Sequence, residues 1–274
     1  MDETLSPRLK SPSHSTNLVG RPSAWMASPA FNDAPVALHI WGVREMNPAL
    51  FTMLDQAETL PEAGEAFLAY MVAMFGIDPE QREAAPGSRK RFRSSFLRLI
   101  QGWTFDSNGP EGAVLKGWVE SRFGIVPSFH KEIIADTHGP VWQAYVSERM
   151  QSRFHDNAIL VQLDLLFEFC QWAIARFAFP GQSHITLYRG VNAVDRHGIL
   201  EQPSKRAAVI RLNNLVSFSS DREVADCFGD RIITTRVPLA KVIFFPGLLP
   251  SHLLRGEREF LVLGGAFRVT LADV

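Results

Sequence analysis

The chain has 274 residues, 46% of them hydrophobic and 21% charged, with a formal net charge of −1. That is the composition of an ordinary globular protein able to bury a substantial core. It excludes the whole-chain positive field with which a protein holds nucleic acid or an acidic membrane, and no apolar run reaches the roughly 18 residues of a membrane span. Residues 1–35 are rich in Ser, Pro and Asn, so an irregular segment is expected, with Trp25, Met26 and Phe31 as anchors. The first 20 residues have no apolar core and therefore no secretory signal, which points to a cytoplasmic protein. Residues 36–43 form a short apolar run that fits a strand or a helix entry.

Helical signals then dominate to about residue 181. Asn47 and Pro48 suit the N-cap and first position of a helix. Pro61 opens another that carries Phe67, Leu68, Met71, Met74 and Phe75, and Gly76 ends it. Residues 88–103 read as an amphipathic helix, with Phe92, Phe96, Leu99, Ile100 and Trp103 on one side and Arg89, Lys90, Arg91, Arg93 and Arg98 supplying positive charge. A core-packing helix with a solvated basic face is the plain reading. A nucleic-acid or membrane surface, or a dock for an acidic protein, are the alternatives. Further helices are expected at 110–123, ended by Gly124, and at 140–154. Asp156 caps a long one to about Phe179, apolar nearly all round but interrupted by Gln162, Asp164, Glu168, Gln171 and Arg176. It reads as a buried central helix.

From residue 182 the pattern changes to short strands: 184–189, 208–212, 215–219, 231–237, 241–245, 259–263 and 267–271. Asn213–Asn214 and Gly264–Gly265 read as breaks between them. Ser220, Asp221, Arg222 and Glu223 form a capping box for a short helix. The predicted class is α+β: an irregular segment 1–35, a mainly helical region 36–181, and a β-rich region 182–274 integrated with it. Cys170 and Cys227 both read as small buried hydrophobes. His184, His197 and His252 show no ligand spacing, so no metal is expected.

Three polar features of the β-rich region carry chemistry. Arg189 follows Tyr188 and precedes Gly190 at the end of a strand; Ser217 and Ser219 share one face of another; Glu257 and Glu259 open a third. Two carboxylates at i and i+2 repel each other, an arrangement of use where a cation or a positive transition state is handled. An arginine clamps phosphate, and a neighbouring glycine admits a flat ligand close to the backbone. A carboxylate stabilises the oxocarbenium-like state formed as a glycosidic bond breaks. A solvated strand entrance, an edge strand and an ordinary turn are the bland alternatives for each feature taken alone.

The order Leu187–Tyr188–Arg189–Gly190, then Val216–Ser217–Phe218–Ser219–Ser220 followed by the "EVADCF" helix, then Glu257–Arg258–Glu259, resembles the arginine–serine–glutamate class of mono-ADP-ribosyltransferases. The stretches "LYRGVN", "NNLVSFSSDREVADCFGD" and "GEREFLVLGG", behind a helical first half, are similar to the dinitrogenase reductase ADP-ribosyltransferase family within that class. The resemblance implies a split β-sandwich carrying the site, NAD as co-substrate, an arginine of dinitrogenase reductase as acceptor, reversible silencing of nitrogenase, and a PII-type nitrogen signal protein as regulator. It implies that Arg189 holds the NAD phosphates or the adjacent ribose, and that Gly190 offers its backbone to the nicotinamide carboxamide. Ser217 supports the nicotinamide ribose and the catalytic carboxylate; Tyr188 and Ser219 complete the NAD-binding set. Glu259 stabilises the oxocarbenium, and Glu257 binds and helps deprotonate the acceptor guanidinium, a poor nucleophile while protonated. The serine strand departs from the commoner Ser–Thr–Ser in having Phe218. A toxin-like transferase with another acceptor, a non-catalytic NAD-binding regulatory protein and a nucleic-acid binder using residues 89–98 are the competing readings. Stable membrane insertion is not expected.

Overall fold

The structure, a computed structural model, describes residues 16–77, 95–192, 198–250 and 259–273. Residues 16–35 carry two short helices, α1 (Ser23–Met26) and α2 (Pro29–Asp33), with Met26 and Phe31 fully buried. The apolar run after them has no strand and leads into the next helix, which starts at its last residue, Val43. It buries Leu38 and Ile40, and Ile40 N donates to Glu168 Oε1 at 2.7 Å. α3 (Val43–Met46), α4 (Pro48–Asp55) and α5 (Leu60–Phe75) follow, α5 stopping at Gly76 with φ 58°. The basic cluster Arg89, Lys90, Arg91 and Arg93 lies outside the described residues. α6 (Phe96–Phe105) starts at the Ser95 cap, whose Oγ accepts from Leu97 N. α7 (Pro110–Phe123) ends at Gly124 as its sequence predicts. A two-stranded hairpin, β1 (Phe129–His130) and β2 (Glu132–Ile133), was not anticipated, and α8 (Pro140–Gln151) leads to α9 (Asn157–Ala173), extended by a π-helical turn over Ile174–Ala178.

The helical part is assembled on α9. Its start is fixed by Asp156, which accepts from Ile159 N at 2.7 Å. Leu163, Leu165, Leu166, Phe167 and Phe169 are buried, and every polar interruption ties down another segment. Gln162 Oε1 accepts from Phe96 N, and Asp164 accepts from Trp118 Nε1 and from Nε and Nη2 of Arg122. Glu168 holds His39, Ile40 N and Arg44, and burial, which raises its pKa, is outweighed by those three partners. Gln171 Nε2 donates to Leu239 O and Val242 O, while Arg176 donates to Asp55 O. A buried polar side chain costs stability unless satisfied, so the buried Gln162, Asp164 and Glu168 specify which partner packs where. The helix 157–178 is long and apolar enough to cross a membrane, but 72% of its most apolar window is buried inside the fold.

The rest is an antiparallel sheet: β3 (His184–Val191), β4 (Ile199–Ser204), β5 (Ala207–Ser219), β6 (Arg231–Pro238), β7 (Val242–Phe244) and β8 (Glu259–Asp273), with α10 (Arg222–Asp226) after β5. The order is β4-β5-β3-β6-β8-β7, and β5 also pairs with β8, so that β5, β3, β6 and β8 close a ring. Neither expected break inside the long strands occurs. β5 runs through Asn213–Asn214 with a one-residue bulge, between Leu212↔Gly265 and Leu215↔Leu263. β8 runs through Gly264–Gly265, where a Cβ on Gly264 would collide with Asn213 O and Gly265 takes φ 114°. The asparagines that read as a turn bridge to the helical part instead. Buried Asn214 Nδ2 donates to Lys116 O and Ile125 O, both at 2.9 Å, and Asn213 Nδ2 donates to Phe129 O. The result is a mixed α+β fold.

One lysine is an anomaly of the core. Lys241 is fully buried, with Nζ 3.3 Å from Gly264 O, 4.7 Å from the Phe267 ring and 5.4 Å from that of Phe31. Burial pushes its pKa down to about 7. The unfolded chain therefore holds a proton that the native state releases between about pH 7 and the ordinary lysine value, and stability rises with pH across that window. Lys241→Met is expected to stabilise the protein at pH 7 by on the order of 3 kcal/mol, the gain shrinking as pH approaches 10. Thermal unfolding at pH 7 and pH 9.5 checks it; an unchanged midpoint at pH 7 shows that the two rings and the carbonyl compensate the buried charge.

Candidate active site

Strand register assembles the sequence-predicted residues. Tyr188 on β3 pairs with Ser219 on β5, and Ser219 pairs with Glu259, the first described residue of β8. Directly paired residues of antiparallel strands share a face, and side chains alternate along each strand. Ser217, Ser219 and Glu259 therefore share one face, with Ser217 one diagonal step from Glu259, since Ser217 pairs with Leu261. Phe218 and Phe260 point the other way into the core, both buried. The departure from Ser–Thr–Ser thus falls on the core side. Glu259 is only 5% exposed, a carboxylate taken almost entirely out of water.

Arg189 sits beside this pair. Its Nη1 donates to Ser217 O at 2.7 Å, while its Nε is buried and has no hydrogen-bond partner among the described residues. Burial lowers the guanidinium pKa and the Glu259 carboxylate opposes that shift. The residue as a whole keeps partial exposure. A partly exposed guanidinium with a buried, unpartnered Nε near a buried carboxylate suits an anionic ligand in which one carbon develops positive charge.

Gly190 has a packing reason to be glycine. A Cβ there would collide with Ala225 O of α10, and one on Gly229 would collide with the Val191 backbone. The "EVADCF" helix lies directly against β3 at the arginine–glycine step, so the separate sequence motifs belong to one contact. The N-cap of α10 is Asp221, accepting from Glu223 N at 3.0 Å. Cys170 is buried, as read, but Cys227 is exposed and Phe228 is 55% exposed, because α10 is one short turn with a single buried residue, Ala225.

With this geometry in place, comparison with known proteins is direct. A profile of the family "Dinitrogenase reductase ADP-ribosyltransferase (DRAT)" matches residues 16–271. The chain belongs to the dinitrogenase reductase ADP-ribosyltransferase family. It is 58% identical over 259 residues, 93% of this chain and 94% of the relative, to the NAD(+)--dinitrogen-reductase ADP-D-ribosyltransferase of Rhodospirillum rubrum. No solved structure matches.

In this member of the dinitrogenase reductase ADP-ribosyltransferase family, sequence reasoning missed one contact at the serine strand. Trp103 of α6 donates its indole N–H to Ser217 Oγ at 2.8 Å. Lys116 Nζ stands 5.8 Å from the Trp103 ring centroid and is held by Asn108 Oδ1 and His130 Nδ1, both at 3.2 Å. Burial lowers the Lys116 pKa to about 8, against the pull of Asp106 and Glu148; burial and then Lys116 lower that of His130, which Glu148 opposes. The periodicity that placed Trp103 on a core face says nothing of where its one polar atom goes. Glu257, His197 and His252 lie outside the described residues. His184 is tied to Ser183 Oγ and Asn32 O. Among the described residues no group of three His, Cys, Asp or Glu is placed to hold a metal ion. A groove of about 710 Å³ lined by His39, Arg44, Trp172 and Arg176 contains none of the residues of this site.

Proposed function

We propose that this chain is an NAD-dependent mono-ADP-ribosyltransferase that modifies an arginine of dinitrogenase reductase, with residues 182–274 as its catalytic region on a split β-sandwich. The observation that carries the reading is the Tyr188–Ser219–Glu259 register, with Arg189 on Ser217 O, in a chain so similar to a named dinitrogen-reductase transferase. Arg189 holds the diphosphate or adjacent ribose, Tyr188 and Ser219 border the bound NAD, and Gly190 lends backbone to the carboxamide. As the bond between ribose C1′ and nicotinamide nitrogen breaks, nicotinamide leaves with the electron pair. Glu259, out of water beside Ser217, then faces the positive charge that develops on the ribose, where a fixed carboxylate is worth most. An acceptor guanidinium nitrogen attacks C1′, and Glu257 takes its proton. A PII-type signal protein as regulator, and reversal of the modification, belong to the same reading.

Incubation with labelled NAD and an extract of a nitrogen-fixing cell tests the acceptor. The label is expected on an arginine of dinitrogenase reductase; a label on another protein overturns the acceptor and leaves the chemistry standing. The two glutamates are separated by Glu257→Gln, which keeps size and hydrogen bonding and removes the charge that orients and deprotonates guanidinium. This variant is expected to lose protein modification while still releasing nicotinamide slowly to water. Both products are measured in one tube, and equal loss of both refutes the division of labour.

A further inference from the structure

The Trp103–Ser217 hydrogen bond fixes the polarity of the serine. An indole N–H only donates, whereas a serine hydroxyl has one proton and two lone pairs. With Ser217 Oγ accepting from Trp103 Nε1, one lone pair is occupied and the hydroxyl proton is turned to another partner. On the same strand face the diagonal neighbour is Glu259, and the ribose that Glu259 serves lies on that side under the function proposed above.

The tryptophan is built in, not resting there by chance of packing. It is 5% exposed, on the core face of a helix whose Phe96, Leu99 and Ile100 are also buried and whose first amide is held by Gln162. Its ring lies below the Lys116 ammonium, which Asn108 and His130 hold. The backbone of Lys116 is in turn bonded to Asn214, three residues before Ser217 on β5. The indole is thereby registered against the serine strand from both α6 and α7. Apolar filling alone would not require a nitrogen aimed at the one hydroxyl of the catalytic motif that it reaches.

We infer that Trp103 is a positioning residue for ADP-ribosyl transfer, delivering from the helical part a hydrogen bond that sets the Ser217 hydroxyl as a donor to the catalytic carboxylate and the nicotinamide ribose. This rests on Ser217 belonging to the NAD site. Trp103→Phe keeps a ring in the core and removes the N–H; Trp103→His keeps a ring N–H donor but fills the apolar space less well. The expected loss in kcat for Trp103→Phe is about 3- to 10-fold, the range that one neutral hydrogen bond supplies, with the NAD concentration for half-saturation nearly unchanged. Trp103→His is expected to turn over faster than Trp103→Phe while unfolding at a lower temperature; a filler role gives the same order, Phe above His, in both. A double-mutant cycle closes the test, run with whichever Trp103 variant folds. In a Ser217→Ala background the Trp103 substitution should cost less than 2-fold further. An equal cost in both backgrounds overturns the positioning role. A Ser217→Ala protein with wild-type turnover overturns the site itself, so the two failures are distinct.

Discussion

Replacing Glu259 by Gln is expected to leave NAD binding within a few-fold and to cut ADP-ribosyl transfer by at least about 10²–10³-fold, the loss typical of one fixed electrostatic stabiliser. The position of the carboxylate sets this loss. Glu259 begins β8, opposite Ser219 and one diagonal step from Ser217, with only 5% of its surface in water. A charge in that setting acts on a developing cation through a low dielectric, so its removal cannot be made good by solvent. Glutamine is isosteric and keeps an acceptor oxygen, and therefore β8 should persist and, under the proposed function, so should the ground-state hydrogen bond to the ribose. The loss should fall on kcat, as it does for an interaction made chiefly in the transition state. Single-turnover transfer measured at saturating NAD checks it, alongside an NAD titration. A Glu259→Gln enzyme that retains a tenth of wild-type transfer refutes the role.

The common face of the serine strand was legible in the sequence because a strand's side chains alternate with period 2. Ser217 and Ser219 flank a core Phe218, and that alternation alone puts both hydroxyls on one face; the register with Glu259 then follows from adjacent strands. Helix ends were legible for a similar reason. Gly76, Gly124 and Asp156 act locally, through a left-handed backbone or a side-chain cap within three residues. The strand breaks were misread where local chemistry served a distant purpose. Asn213–Asn214 has turn composition, yet the pair forms a bulge whose amides clamp α7 and the β1–β2 hairpin. Gly264–Gly265 marks where β8 passes Asn213 and Ala27 too closely for a side chain. Both are contacts of large sequence separation, which no local pattern encodes. Trp103 is the same case at the site: its partner is 114 residues away. Glu257 lies outside the described residues, so its place rests on sequence alone.

The second large effect falls on Arg189, where binding and architecture meet in one guanidinium. Its Nη1 supports Ser217 O, its Nε is a buried donor without a partner among the described residues, and Glu259 opposes the lowering of its pKa by burial. Under the proposed function, Arg189→Ala removes the phosphate or ribose clamp, and it also removes a cation near Glu259. Hydrogen bonds to charged groups contribute about 1.5–3 kcal/mol each, so half-saturating NAD should rise by about 10- to 100-fold. Truncation also leaves Ser217 O without its donor and Glu259 without a neighbouring cation, so the unfolding midpoint should fall. Arg189→Lys divides the two roles. A lysine keeps a positive charge near Glu259 but is a point donor, unable to bond Ser217 O and cradle a phosphate in one plane. It should recover much of the lost stability and little of the NAD affinity. Paired unfolding and NAD titrations on both variants decide the matter. If Arg189→Ala lowers the midpoint and leaves NAD affinity unchanged, Arg189 is a strut for the serine strand and the diphosphate lies elsewhere.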